Sequence, residues 1–220
     1  MTPVRPVDAA SILLLDRSGE NVRVLVGRRS SKHVFMPDVY VFPGGRRDAG
    51  DRLVPVASPL NALACERLAI KTGARCSDSR LRALGVAAIR ELYEEAGITV
   101  GTPLAQSAAG ALPFQPDLSR LRFLARAITP TGMVRRFDTR FFTLFTDEAG
   151  VDPAGATASH ELEDLRWVDI FDHKGIEMPD ITVLILEELQ KSIQEDRTLP
   201  FGRAVPLYHT QRGRFLRDLL

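Results

Sequence analysis

Three glutamates mark the stretch of this chain best suited to chemistry. Glu91, Glu94 and Glu95 lie within Arg90-Glu91-Leu92-Tyr93-Glu94-Glu95-Ala96-Gly97-Ile98. On a helix they stand at i, i+3 and i+4, which gathers three carboxylates on one face within one turn. Like charges so placed repel by roughly a few tenths of a kcal/mol per pair on an exposed helix. A divalent cation reverses the sign of that effect. Mg²⁺ takes hard oxygen ligands in an octahedral array and keeps several waters, so a carboxylate cluster on one rigid helix can hold it and leave positions for phosphate oxygens. The plain alternative is a solvated acidic face with Arg90 as its intrahelical partner, the usual meaning of a charge run. The complete string, Arg-Glu-apolar-x-Glu-Glu-x-Gly-apolar, weighs against that, because average residue frequencies produce it in on the order of one chain in 10⁵.

The elements that must present this string follow from periodicity and turn residues. A helix over about Leu81 to Ala96 buries Ala87, Ala88, Ile89 and Leu92, and Gly97 is placed to end it. The apolar run Ala9–Leu15, the turn formers Asp16 to Asn21 and the alternating Val22, Val24 and Val26 predict a hairpin with one covered face. Val39 to Phe42 reads as a short strand ended by Pro43-Gly44-Gly45. Residues 52–84 read as an added segment, with a helix opened by Pro59, carrying Leu60, Leu63, Ala64 and Leu68 on one face and stopping near Gly73. Leu121–Ile128, Phe137–Phe145 and Leu165–Val168 read as strands, Gly101 to Pro116 and Asp147 to Ser159 as loops, and Pro179 opens a helix to about Ile193. The stretch Phe201–Leu220 shows no clear pattern. Strands interleaved with few helices predict an α/β protein of the α+β type, a mixed sheet with helices on its faces.

Composition sets the outer bounds. The 220 residues suit a single domain over 1–220 with embellishments, and 45% hydrophobic residues can build a sizeable core. A formal net charge of +1 argues against a large nucleic-acid footprint, which shows a basic excess. Cys65 and Cys76 form no CxxC pair and read as free thiols of a reducing compartment. The first residues lack a cationic segment with an apolar core, and Ile12–Leu15 is far too short to span a bilayer, so a cytoplasmic protein without membrane contact is expected. The chain ends in Asp-Leu-Leu rather than a peroxisomal Ser-Lys-Leu type signal. His33, His160, His173 and His209 show no ligand spacing such as HxxxH, which argues against zinc.

The glutamate string resembles the second half of the Nudix box, the signature of the Nudix hydrolase superfamily. The first half of that box is a glycine, five residues and an acid. Gly45 and Asp51 have this spacing, with aspartate for the usual glutamate. Residues 52–89 then intervene where the usual box has seven, so the box is split by an insertion. Phe35-Met36-Pro37-Asp38-Val39-Tyr40-Val41-Phe42-Pro43-Gly44-Gly45, followed by Asp48 and Asp51, is similar to an interrupted-box subgroup that includes the peroxisomal coenzyme A diphosphatase. Arg136 to Phe142 and Glu161 to Val168 resemble that subgroup's later segments.

The resemblance implies a Nudix-like α/β/α sandwich with a mixed central sheet and a helical insertion within the box. It implies Mg²⁺ or Mn²⁺ as cofactor, held by Glu94 and Glu95 with the carbonyl of Gly45. Glu91 would be a third ligand or the base that activates water, and Arg90 would orient Glu91. Glu161 or Glu163 would supply a further acid, with Glu161 the first choice; a plain exposed loop acid is the alternative. Arg28, Arg29, Arg46, Arg47, Arg135 and Arg136 lie in or beside segments that approach such a site, and Arg28 and Arg46 are the leading phosphate contacts. Phe35 and Met36 would line the substrate pocket or cover the sheet edge.

The implied reaction is hydrolysis of a diphosphate linkage in a small nucleotide-type substrate, with coenzyme A or acyl-CoA preferred and ADP-ribose, NADH or a dinucleotide polyphosphate open. Two alternatives stand beside it. A non-catalytic Nudix-fold ligand-binding regulator would commonly have lost the glutamates, and an enzyme clearing oxidised nucleoside triphosphates would have an uninterrupted box. The insertion is expected to emerge beside the site and to govern substrate choice; a structural prop or a homodimer contact is the competing use for its apolar face.

Overall fold

A computed structural model describes residues 4–30, 38–73, 76–106 and 110–220. Strand β1 (Val7–Asp16) runs through the middle of the molecule because its residues are apolar on both faces. Ala10, Ile12 and Leu14 enter one core, and Leu13 and Leu15 enter the other. The predicted hairpin forms with β2 (Arg23–Arg29), registered at Leu15↔Val24. Its single covered face is not observed: Val24 and Val26 pack on one side and Leu25 on the other, so both faces are buried.

The remaining elements in chain order are β3 (Tyr40–Val41), β4 (Gly44–Arg46), a 3₁₀ turn (Gly50–Arg52), α1 (Ala62–Ala69), α2 (Asp78–Ala96), β5 (Gly101–Pro103), β6 (Phe114–Pro116), β7 (Arg122–Ile128), β8 (Phe137–Phe145), α3 (Thr146–Ala149), a second 3₁₀ turn (Pro153–Gly155), β9 (Leu162–Asp169), α4 (Asp180–Glu195), β10 (Pro206–Gln211) and β11 (Arg214–Leu219). Among the described residues nine strands form one mixed sheet in the order β11-β10-β7-β8-β1-β2-β3, with β4 added to β1 and β9 to β2. The β1–β8 and β7–β10 pairs are parallel and the others antiparallel.

Helices α1 and α2 cover one face, where Ile12, Leu84, Ala88, Leu92, Phe123 and Phe142 share a core. Helix α4 covers the other, where Ile185, Leu186 and Leu189 meet Leu13, Leu15 and Phe145. This α/β/α layering is the architecture expected from the sequence. The loops expected over Gly101–Pro116 and Asp147–Ser159 contain the short β5–β6 pair and the α3 and 3₁₀ turns, and the unpatterned C-terminal stretch is the β10–β11 hairpin. No helix among the described residues is long and apolar enough to cross a membrane.

Helix α2 positions the glutamates. The Ser77 hydroxyl caps it by accepting from the Arg80 amide at 3.2 Å, and Asp78 places a negative charge at the positive end of the helix dipole. Gly97 ends it at φ +69°, its amide donating to the Tyr93 carbonyl at 2.9 Å.

The inserted segment follows a different course from the one expected. Asn61, not Pro59, caps α1, accepting from the Leu63 amide at 2.9 Å. Ala64 and Leu68 are buried, whereas Leu63 is 47% exposed and leaves the predicted apolar face. Arg67 donates to the carbonyls of Gly202 (3.0 Å) and Leu220 (3.3 Å), and Arg126 of β7 donates to that of Lys71 (3.2 Å). The insertion is thereby tied to the β7–β10–β11 end of the sheet.

Candidate active site

The split box is closed in space by one ion pair. Arg90 of α2 donates from Nε to Asp51 Oδ1 at 2.9 Å and from Nη2 to Oδ2 at 3.3 Å. Asp51 is only 2% exposed and also accepts from the Asp48 amide at 2.7 Å. Arg90 Nη2 reaches the Arg46 carbonyl at 3.0 Å, while Nη1 reaches Glu91 at 2.8 Å and Glu94 at 2.9 Å. One guanidinium therefore fixes the glycine loop, the 3₁₀ turn and two of the three glutamates relative to one another. The hydrogen bond to Asp51 and the charges of Glu91 and Asp51 outweigh burial and hold Arg90 protonated well beyond its ordinary range.

The glycines permit a close approach. Strand β4 pairs with β1 at Gly44↔Ser11 and Gly45↔Ala10. A Cβ on Gly44 would sit 2.6 Å from the Ser11 Cα and 2.7 Å from the Ala10 carbonyl oxygen. A Cβ on Gly45 would overlap the Glu91 carboxylate, 2.5 Å from Cδ. The Gly44 amide donates to Glu95 Oε2 at 2.8 Å. Both glycines are needed because the β4 backbone lies against β1 on one side and against two carboxylates on the other.

The glutamates differ in environment. Glu95 is 5% exposed and Glu91 9%, whereas Glu94 is exposed to solvent. Burial pushes the Glu95 carboxyl up to about 8; the Gly44 amide and Arg29 oppose this, and the charges of Glu91 and Glu161 add to it. Burial likewise raises Glu91 against the pull of Arg90, with Glu94 and Glu161 contributing repulsion. At both buried carboxyls, burial outweighs the positive charge nearby.

These groups line a cleft of about 820 Å³ that also takes in Arg29, Arg46, Asp48 and Glu161. Val7, Ala9, Ala10 and Ser11 of β1 and Phe137 and Thr139 of β8 also line it. Glu161 stands in the cleft, whereas Glu163 lies near Arg28 at 3.6 Å and is not among the lining residues. Arg28 also lies outside the lining, 3.6 Å from both Asp38 and Glu163. Arg46 is in the cleft, with only a loose 3.5 Å contact to Asp48. Phe35 and Met36 fall outside the described residues. None of the described residues of the insertion lines the cleft, because the Asp51–Arg90 pair closes the box at its base and the inserted chain leaves on the far side.

The donor set, carboxylate oxygens of which two are buried, suits a hard divalent cation. Among the described residues, however, no three histidine, cysteine or acidic side chains converge as they stand on one point. Glu91 and Glu94 are turned to Arg90. The residues that reading the sequence missed are Asp51 as the partner of Arg90 and the β8 end of the cleft. The spacing of Gly45 and Asp51 pointed to the first. Arg135, Arg136 and the Arg136 to Phe142 string marked the neighbourhood of the second, but Phe137 and Thr139 line the cleft through the parallel pairing of β8 with β1, which is not local.

No family model matches the chain. It is 27% identical over 180 residues to a provisionally named nudix hydrolase 7 of Caenorhabditis elegans, covering 73% of this chain and 50% of that protein. The chain thus spans about half the length of the curated relative it matches. Among solved structures, the NUDIX hydrolase from Alicyclobacillus acidocaldarius superposes with a TM-score of 0.59 at 22% identity, over 84% of this chain and 90% of the other. The NUDIX domain of Shewanella oneidensis NrtR, complexed with ADP ribose, superposes with a TM-score of 0.52 at 13% identity, over 86% and 88%. The central mixed sheet flanked by few helices, with the glutamate helix set against a glycine loop, is the Nudix hydrolase fold.

Proposed function

We propose that the chain is a divalent-cation-dependent diphosphohydrolase acting on a nucleoside diphosphate joined to a second organic group. The observation that carries this reading is the burial of Glu91 and Glu95 against Gly44 and Gly45 at the base of an open cleft, with Arg90 and Asp51 locked behind them. Glu94 and Glu95, with the Gly45 carbonyl, would hold Mg²⁺ or Mn²⁺, and Glu91 would be a third ligand or the base. A bound cation supplies charge neutralisation for the bridging diphosphate and makes water a better nucleophile at neutral pH. Arg90 would position Glu91 through their 2.8 Å contact and oppose the rise that burial imposes on its carboxyl. Glu161 is the further acid in this reading, and Arg46 with Arg29 takes the non-reacting phosphate oxygens. Arg28, held among acids outside the cleft, yields that role to them.

Coenzyme A or an acyl-CoA is the preferred substrate, supported by the resemblance of residues 35–51 to the interrupted-box subgroup. ADP-ribose is supported by its presence in the Shewanella domain of like fold. The test is a panel of coenzyme A, acetyl-CoA, ADP-ribose, NADH and a diadenosine polyphosphate with Mg²⁺ or Mn²⁺, following mononucleotide release. Release from at least one conjugate supports the reading. Binding without release from any of them would make the chain a ligand-binding regulator instead.

A further inference from the structure

The cleft has two unlike ends. At one stand the carboxylates of α2 and the β4 glycines. At the other, Val4, Val7, Val134 and Phe137 line it together with Arg135 and Arg136. This second end is built from the segment leading into β1 and the turn joining β7 to β8. Val7 pairs with Phe137, its amide donating to the Arg136 carbonyl at 2.9 Å. Arg136 braces the wall from behind, with Nη1 on the Val4 carbonyl at 2.6 Å and Nε on the carbonyls of Thr129 and Pro130 at 3.0 Å.

Three of the valines are more open to water than packing requires: Val4 is 51%, Val7 43% and Val134 91% exposed. Exposed apolar side chains gathered in the lining of one cleft are a mark of ligand contact rather than of folding. Arg135 beside it is exposed and has no hydrogen-bond or ion-pair partner among the described residues. The two ends are linked along β1. Val7 lies three residues from Ala10, where Gly45 pairs, which is roughly 10 Å at strand rise. A group joined to a diphosphate at the carboxylate end reaches that far.

We propose that Val4, Val7, Val134 and Phe137 form the wall that packs against the organic group carried beyond the diphosphate, and that Arg135 takes an anionic substituent of the conjugate outside the diphosphate. This rests on the reading of the cleft as a diphosphohydrolase site and names its specificity determinants. The substrate class is then a nucleotide conjugate with an apolar or ring-bearing arm, not a free nucleoside triphosphate.

The test uses the full chain with Val134→Asp, Val134→Leu and Arg135→Ala. All three lie on an exposed turn, and unchanged melting temperatures confirm that each folds. With coenzyme A and Mg²⁺, Val134→Asp raises KM about tenfold with kcat within twofold, the loss expected from one buried valine contact. Val134→Leu restores KM, and Arg135→Ala raises it severalfold. In parallel, calorimetry in EDTA compares coenzyme A with ADP, which lacks the arm; Val134→Asp weakens only the former. An unchanged KM for Val134→Asp in an enzyme that turns coenzyme A over overturns the wall and leaves the reaction standing. If the wild type hydrolyses no conjugate, the reaction reading fails, and the EDTA titration decides alone. Selective weakening of coenzyme A binding then upholds the wall, and equal binding by both proteins, or none by either, overturns it.

Discussion

Helix α2 carries an arginine-centred ion network at each end, and the two are built to opposite purposes. At its C-terminal end Arg90 faces Asp51, Glu91 and Glu94, with the buried Glu95 beyond. At its N-terminal end Arg80 meets Asp8 at 2.6 Å, Asp8 also takes Arg140 at 3.1 Å and Arg47 at 3.4 Å, and Arg140 and Arg126 share Asp138. In the first network acids outnumber bases, and burial raises Glu91 and Glu95. In the second, burial alone would raise Asp8, yet the Arg80 hydrogen bond and the charges of Arg140, Arg80 and Arg47 hold it below the usual carboxylate range. One end is left short of positive charge beside an open cleft, and the other is neutralised from within the protein. Buried carboxyls whose burial outweighs their charge partners mark a candidate binding site; carboxylates surrounded by arginines support the fold.

The comparison breaks most sharply at Glu95. Glu95→Gln keeps an oxygen for the Gly44 amide and removes the most buried of the three carboxyl groups. Turnover should fall about a thousandfold, on the order of 4 kcal/mol of transition-state stabilisation, while the melting temperature holds or rises. Steady-state kinetics and thermal unfolding on one preparation check both halves. Near wild-type turnover would remove Glu95 from the site.

Asp8→Asn should do the reverse. It leaves Arg80, Arg140 and Arg47 without their shared carboxylate and should destabilise by about 3 kcal/mol, with kcat within twofold wherever the variant is folded. Chemical denaturation measures the first and kinetics the second; a stable but inactive variant would contradict the division of labour.

The adjacent glycines sharpen it further. Alanine at 44 meets β1 backbone and should cost about 1–3 kcal/mol of stability. Alanine at 45 meets only the movable end of Glu91, so stability should hold while kcat falls about tenfold or more as that carboxylate is displaced. Equal effects at the two positions would show that β4 is merely a strand edge.

The smallest effect is on acid stability. Asp8 is depressed in the fold, so its contribution is complete above its unfolded value near 3.8 and is lost as pH falls through the lower folded value. Wild type should therefore lose stability over that range, and Asp8→Asn should lose less. Parallel acid titrations followed by circular dichroism compare them.

Much of this was legible in residue order, and the reasons divide by range. The stop of α2, the strands over 121–128 and 137–145 and the glutamate face depend on local signals that the chain displays openly, whereas the Ser77 cap lies a turn ahead of the expected start near Leu81. The β10–β11 hairpin was not legible, because Leu207 and Tyr208 are adjacent rather than alternating with polar residues, and Tyr208 finds its partner, Glu188 of α4 at 2.9 Å, in a distant element. The insertion was assigned to the site because it interrupts the box in sequence. In space the Asp51–Arg90 contact shortens that interruption to nothing, and Arg67 carries the segment to the opposite edge. Of Glu161 and Glu163, Glu161 was the first choice, and it lines the cleft just before β9 begins, whereas Glu163 within the strand lies 3.6 Å from Arg28.

The account turns on whether the α2 carboxylates gather around a divalent cation, and thermal unfolding in rising Mg²⁺ or Mn²⁺ reads this without any substrate. A cation bound only by the folded protein raises the melting temperature in step with its concentration. Wild type should show that rise and Glu95→Gln should not. A rise of equal size in both proteins, or none in wild type under conditions where it hydrolyses a diphosphate, would contradict the assignment.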